Sequence, residues 1–379
     1  MEPESYIQLK QEIIERMMTE RTLLDQLRNE IRPYRSDVRP IYQRTTTAMS
    51  LVATDGCNTS IRFDPFLVQI VRVVDSSNNE YCLEAITPTT DITALSRKQF
   101  HEDGSPKTAL GEMMAYLKVQ RLQDLSPMIR DTTPGRPISP SWVQVYRELV
   151  EWAILFDVTR RDFGSDTLIV YDGLLRSKVF TGDLFRLYLH GIEERFEELR
   201  RRNRRRMYLT GVAKHSKVLD RYRLAMALEG ILTTNYAAYL PISREIEEKA
   251  YIWAEYARGR DQEREGEEVN KFVGGKMFFV KFGKGLRDPI WPIDICEFQV
   301  SEVQHILGCM LSDALNGFPV PLYPQCLQKA HSNAALVDFD FDILQDQIFD
   351  GIRAMLAEEA PVLDVFLLQD ADPAQRRYE

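Results

Sequence analysis

The chain has 379 residues, 44% hydrophobic and 28% charged, which excludes a disordered or fibrous protein and leaves enough apolar surface for a core without metal or disulfide staples. The formal net charge of -9 gives no general attraction for nucleic acid or an anionic membrane, so any such contact has to be local. No run approaches the roughly 18 apolar residues of a membrane span, and the acidic start MEPESYIQLKQEIIERMM does not read as a secretory leader.

Cys57, Cys82, Cys296, Cys309 and Cys326 are scattered, odd in number and lack a CxxC pair. Free thiols in a reducing cytoplasm are expected, and a zinc finger is not. Ile7, Leu9, Ile13, Ile14, Met17, Met18, Leu23, Leu24, Leu27 and Ile31 recur at helical spacing. They predict one helix over 4–31, ended by Pro33. Its apolar stripe suits either packing on its own domain or a dimer or partner surface.

TTAMSLVATDG predicts a strand ending at Asp55-Gly56. RFDPFLVQIVRVVD and EYCLEAIT, separated by SSNN, predict an antiparallel hairpin. Residues 96–131 read as helical, followed by the Pro-rich loop DTTPGRPISPS. A helix with Ser141 as its N-cap comes next, then TLIVYDGLL, an apolar strand ending at Asp172-Gly173. The next helix ends in the arginine-rich RFEELRRRNRRR. After it come the strand MYLTGVAKHS, a mainly helical stretch over 218–262, and the strands KMFFVKF and PIWPIDICEF. A helix closed by Gly317, the loop FPVPLYPQ and a helix from CLQKAH complete the pattern. No repeat or low-complexity linker divides the chain. One elaborated α/β domain is expected over 41–345, with helical insertions at about 95–160 and 182–265. A helical arm (1–40) and a C-terminal helix and tail (346–379) flank it.

A carboxylate at a strand's C-terminal end lies where α/β sheets bind ligands. Asp-Gly is also a common turn dipeptide, so the two pairs suit either a site or two turns. Clustered carboxylates have a clear chemical use: they hold Mg²⁺ or Mn²⁺, which clamps phosphodiester oxygens and lowers the pKa of an attacking water. A strand, a hairpin and a later strand bearing a second acid outline an RNase H-like core, in which a third acid arrives on a helix.

LVATDGCNTSI, LIVYDGLLRSK, GVAKHSKV and GFPVPLYPQCLQKAH occur in the order and context of the NurA family of DNA-repair nucleases, which the chain resembles over about 45–340. The resemblance implies an RNase H-type fold with helical additions, a homodimer, a preference for Mn²⁺ over Mg²⁺, and work on DNA ends with the hexameric HerA ATPase. It also implies site residues. Asp55 and Asp172 match the two DG aspartates. Glu151, or alternatively Glu148, matches the helix glutamate; the two lie three apart on one face. Lys214 matches a lysine suited to phosphate, and His331 matches the AH histidine and joins the metal set. Arg176, Arg204 and Arg205 are expected at the DNA, although the cluster at 200–206 also suits a solvated helix end whose dipole favours cations.

Cys57 replaces the serine usual after the first DG, and Phe318 stands in the Gly-Tyr-Pro motif, leaving Tyr323 as the stand-in phenol. The functional expectation is a metal-dependent DNA nuclease acting with a HerA-like ATPase. The alternative is a non-catalytic RNase H-like scaffold for DNA or a partner. A phosphatase is disfavoured, because no Gly-rich phosphate loop or DxDxT motif is present.

Overall fold

A computed structural model describes residues 3–44, 49–63, 66–130, 141–251, 263–264, 267–268, 270–336 and 338–361. For 4, 49–50, 55–63, 66, 263–264, 267–268, 338–339 and 341–342 the description is of the backbone alone. The arm holds α1 (Pro3–Thr19), α2 (Arg21–Ile31) and a 3₁₀ segment, Arg32–Asp37. Next come β1 (Arg39–Pro40), β2 (Met49–Phe63), β3 (Phe66–Asp75) and β4 (Glu80–Ile86), then α3 (Ile92–Lys98), α4 (Ala109–Tyr116), α5 (Leu122–Leu125) and α6 (Ser141–Arg160). They are followed by β5 (Asp166–Asp172), α7 (Leu184–Asn203), β6 (Met207–Val212), α8 (Lys217–Leu228), β7 (Ala238–Pro241) and α9 (Arg244–Ala250). The short pair β8 (Glu263–Arg264) and β9 (Glu267–Glu268) precedes β10 (Gly275–Lys281) and β11 (Trp291–Cys296). The last helices are α10 (Val303–Ala314), α11 (Gln325–Ala334) and α12 (Asp338–Leu356).

Four expectations are corrected. The helix over 4–31 breaks at Glu20, where the Thr19 hydroxyl turns back onto the Arg16 carbonyl at 2.6 Å and competes with the helical ladder. The stretch 96–131 is three short helices, because Gly104 takes φ +81° and Phe100 bridges to Pro106 in a tight loop. The stretch 218–262 is interrupted by β7, whose short apolar AYLP pairs with β10. Most important, β2 does not end at Asp55-Gly56. It continues to Phe63, pairing Asp55 with Val74 and Gly56 with Val73 on β3. Ladder hydrogen bonds to β3 override the local turn preference.

The main sheet has the order β1-β7-β10-β11-β6-β5-β2-β3-β4. β2, β3 and β4 form an antiparallel meander, while β5 lies parallel to both β2 and β6. This is the mixed RNase H-like core expected from the sequence, extended beyond β6 by four antiparallel-paired strands. β1 closes the far edge on β7, so the end of the arm is part of the sheet.

Alternation along the strands divides the core between two faces. On β5, Ile169 and Tyr171 join the cluster under α4, α6 and α7, whereas Leu168 and Val170 join the cluster under α10 and α11. On β10, Met277 and Phe279 pack beneath α2, α8 and α9. Leu27 and Ile31 seat α2 there, but Ile7, Ile13, Ile14, Met17 and Met18 of α1 remain exposed.

The segment leaving β5 is anchored by Arg176. Its guanidinium makes a forked contact with Asp294 on β11, at 2.7 and 2.8 Å, and reaches Glu247 on α9 at 2.5 Å. The Arg176 side chain is 1% exposed. Burial works to lower the pKa of this group, but the Asp294 and Glu247 charges outweigh it and hold it well above the usual arginine value. Arg176 was expected at the DNA; instead its donors are consumed inside the protein, because two buried carboxylates need them. Replacing Arg176 with Ala should cost about 3–5 kcal/mol of stability by leaving those carboxylates unpaired. Urea unfolding of the variant measures this, and an unchanged midpoint would refute the anchoring role.

Candidate functional site

Asp172 is the last residue of β5 and pairs with Val212, the last residue of β6. The parallel register between β2 and β5 runs through Thr54 and Tyr171. Asp55 and Asp172 are each one residue further on. They therefore follow the last paired residues at equivalent positions on neighbouring parallel strands. Gly173 then turns the chain at φ +143°, a conformation open to glycine, and a Cβ there would meet the Tyr171 ring at 2.9 Å.

Asp172 faces the α10–α11 side. Its Oδ1 accepts from the Tyr323 hydroxyl at 3.4 Å, a long hydrogen bond. The Tyr323 ring is buried and packs edge-on to Trp291, with centroids 4.8 Å apart. Lys214, exposed two residues beyond Val212, places its ammonium 5.7 Å from the same ring's centroid. Asp172, Tyr323 and Lys214 thus meet at one sheet edge.

The helix glutamates approach from the other face. Glu148 accepts from Ser177 on the segment leaving β5, at 2.8 Å, and from the Trp152 indole at 3.4 Å. Glu151 pairs with Arg147 at 3.3 Å and is 13% exposed. Between them and the strand lies Tyr171, stacked near Trp152 at 4.7 Å. Burial pushes the Tyr171 phenol well above its ordinary range, and the charges of Glu151, Glu148 and Asp172 push the same way. Three carboxylates therefore lie within electrostatic reach of one hydroxyl.

His331 is exposed on α11, which packs across β2, β3 and β5. Two residues on, Asn333 donates to the Asp75 carbonyl at 3.1 Å, and Asp75 pairs with Thr54. That half of α11 therefore crosses the sheet level with Asp55.

No protein-family model matches the sequence, and no curated protein is significantly similar to it. Among solved structures the chain is similar to the NurA nuclease from Sulfolobus solfataricus, at 14% identity and a TM-score of 0.43, over 95% of this chain and 98% of that one. A second NurA structure matches at 14% identity and 0.41, over 96% and 100%. NurA bound to dAMP and manganese matches at 15% identity and 0.37, over 86% and 94%. This is the family that the four sequence motifs resemble.

Arg204 and Arg205 are not at this edge. They precede Met207 at the opposite end of β6 from Val212, about 17 Å away at the usual rise per residue. The helix they follow uses Arg202 and Arg200 for ion pairs with Glu198 and Glu197, at 2.7 and 3.5 Å. These pairs suit a solvated helix end for that part of the cluster.

Asp55, Asp172, Glu148 and Glu151 offer hard carboxylate oxygens, a donor set that fits Mn²⁺ or Mg²⁺. Among the described residues no three His, Cys, Asp or Glu side chains converge as a ligand group. The fit turns on Asp55, which the backbone register sets beside Asp172. Ser177 and Trp291 had no sequence signal: each matters through a contact with a residue far along the chain. The Tyr323→Phe change keeps the ring against Trp291 and removes the hydroxyl from Asp172. It should lower Mn²⁺ affinity about tenfold, as loss of a ligand-orienting partner does. Calorimetric titration measures this, and equal affinity would deny the hydroxyl an orienting role.

Proposed function

We propose that the chain is a Mn²⁺- or Mg²⁺-dependent deoxyribonuclease that acts with a HerA-like hexameric ATPase. The observation that carries this reading is the equivalent placement of Asp55 and Asp172 on adjacent parallel strands, with Glu148 of α6 held to the segment that leaves β5. Asp55, Asp172 and Glu151, with Glu148 as the alternative, would hold the ion, and His331 is a further ligand candidate. When bound, the ion supplies Lewis acidity at the phosphate and a water of lowered pKa.

The other residues bind and orient. Tyr323 steadies one oxygen of Asp172. Lys214 offers an ammonium to a phosphate oxygen, offsetting the repulsion between carboxylates and DNA. With a formal net charge of -9, the chain lacks a long-range pull on DNA. A translocating ring supplies the strand by raising its effective concentration. The exposed apolar stripe of α1 supports a homodimer as the working unit.

Asp55→Ala is expected to abolish metal-dependent cleavage of linear DNA while leaving circular dichroism and melting unchanged. Cleavage at the wild-type rate would overturn the site. Glu151→Ala should be the more damaging of the two glutamate changes, and the reverse order moves the ligand to Glu148. If the wild-type chain binds DNA but cleaves none with either ion, the scaffold reading replaces this one.

Cleavage by the isolated chain at physiological salt should be weak and rise strongly with a HerA-like hexamer and ATP. Light scattering of the chain alone should give about twice its 44.0 kDa. Full activity that ignores the ATPase would remove the partnership, and a monomer at micromolar concentration would remove the dimer.

A further inference from the structure

The hairpin joining β10 to β11 stands at the same sheet edge as the carboxylates. Val212 pairs with Asp172 on one side and with Ile293 on the other. β11 runs antiparallel to β6, so residues before Ile293 extend past Val212 toward Lys214. The Ala213 amide donates to the Pro292 carbonyl at 3.1 Å, which confirms the direction. The hairpin is also tied to the site through side chains. Trp291, at its foot, packs on Tyr323 and donates to the Leu322 carbonyl at 2.6 Å. A Cβ on Gly283 would lie 2.6 Å from Leu322 Cδ1, so the hairpin backbone abuts the segment that carries Tyr323.

The tip is built to hold its shape. Lys281, 1% exposed, sends its ammonium to the carbonyls of Thr234 and Gly285, the latter at 3.0 Å. Asp288, the sole acid of 282–290, accepts from the Gly285 amide at 2.6 Å and lies in the field of Lys281. A Cβ at Gly283 would lie 1.8 Å from that carboxylate, so the Asp288 side chain packs directly over the glycine. The acid is thereby spent inside the loop. Lys284 and Arg287 are left exposed, and among the described residues no carboxylate pairs with either.

We propose that this tip is a phosphate grip for the DNA strand, with Lys284 and Arg287 holding backbone phosphates beside the carboxylate site. The proposal rests on the nuclease reading above and adds the residues that let an acidic chain keep hold of its substrate. Two unpaired cations on a braced loop lose little freedom on binding, and a guanidinium presents a fork that matches phosphate oxygens. They add to Lys214, whose ammonium lies near the Tyr323 ring, in offsetting the repulsion between carboxylates and the strand.

The test uses the full chain carrying Lys284→Ala and Arg287→Ala together, a labelled linear duplex, and Mn²⁺ for cleavage. Binding is followed by anisotropy in EDTA over a KCl series. KM should rise on the order of tenfold with kcat within about twofold, and the slope of log affinity against log salt should become shallower by roughly 1.8, or about 0.9 for each phosphate no longer neutralised. The charge-preserving pair Lys284→Arg with Arg287→Lys should stay near wild type. Unchanged KM and salt slope in the alanine pair, with normal wild-type cleavage, overturn the grip alone. An equal KM defect in the charge-preserving pair also overturns it, because loop shape and not charge is then responsible. Absence of wild-type cleavage with either Mn²⁺ or Mg²⁺ overturns the nuclease reading and the grip with it.

Discussion

The Arg176 guanidinium, shared between Asp294 and Glu247 in the interior, is the contact on which the placement of the site depends. Three charged groups withdrawn from water are tolerable only when the geometry uses their hydrogen-bonding capacity, and the fork on Asp294 with the third bond to Glu247 does so. Arg176 lies four residues after Asp172. The segment between is also held by the Gly274 amide on the Leu175 carbonyl at 2.8 Å, and the Ser177 amide bonds the Phe272 carbonyl at 3.0 Å. The Ser177 hydroxyl then reaches Glu148 on α6. One buried cation therefore sets where β5 ends, where β11 runs past it, and where the helix glutamates meet the strand.

From that anchor the sheet distributes the carboxylates. Tyr171 and Asp172 are consecutive, so they point to opposite faces. Tyr171 meets Trp152 and the field of Glu148 and Glu151, while Asp172 meets Tyr323 in front of α11. The pairing of β2 with β5 stops at Thr54 and Tyr171. Past that point β2 is held by β3.

The charge distribution follows the same geometry. The densest arginine run sits at the far end of β6, and Arg200, Arg201 and Arg202 pair with glutamates of their own helix. Fewer cations, chiefly Lys214 and the hairpin pair Lys284 and Arg287, stand at the carboxylate edge.

The sequence by itself determined the elements whose local signals were strong. These are the β-branched runs of β3 and β5, the aromatic run of β10, the long helices α6 and α7, and the SSNN turn, where Asp75 accepts the Ser77 and Asn79 amides. Four motifs in order also pointed to Asp55, Asp172, Lys214 and His331, with Tyr323 as a stand-in phenol, before any were placed in space. Tertiary structure alone decided that Asp55 lies within a continuous strand, that the stripe of α1 faces outward, that Arg204 and Arg205 are remote from the carboxylates, and that Arg176 is buried. The physical reason is the same in each case. Periodicity and propensity report what a residue prefers beside its chain neighbours, whereas the group that fixes Arg176 is Asp294, 118 residues away. Whether a cation meets solvent, substrate or a buried carboxylate is set by which distant strand the sheet brings beside it.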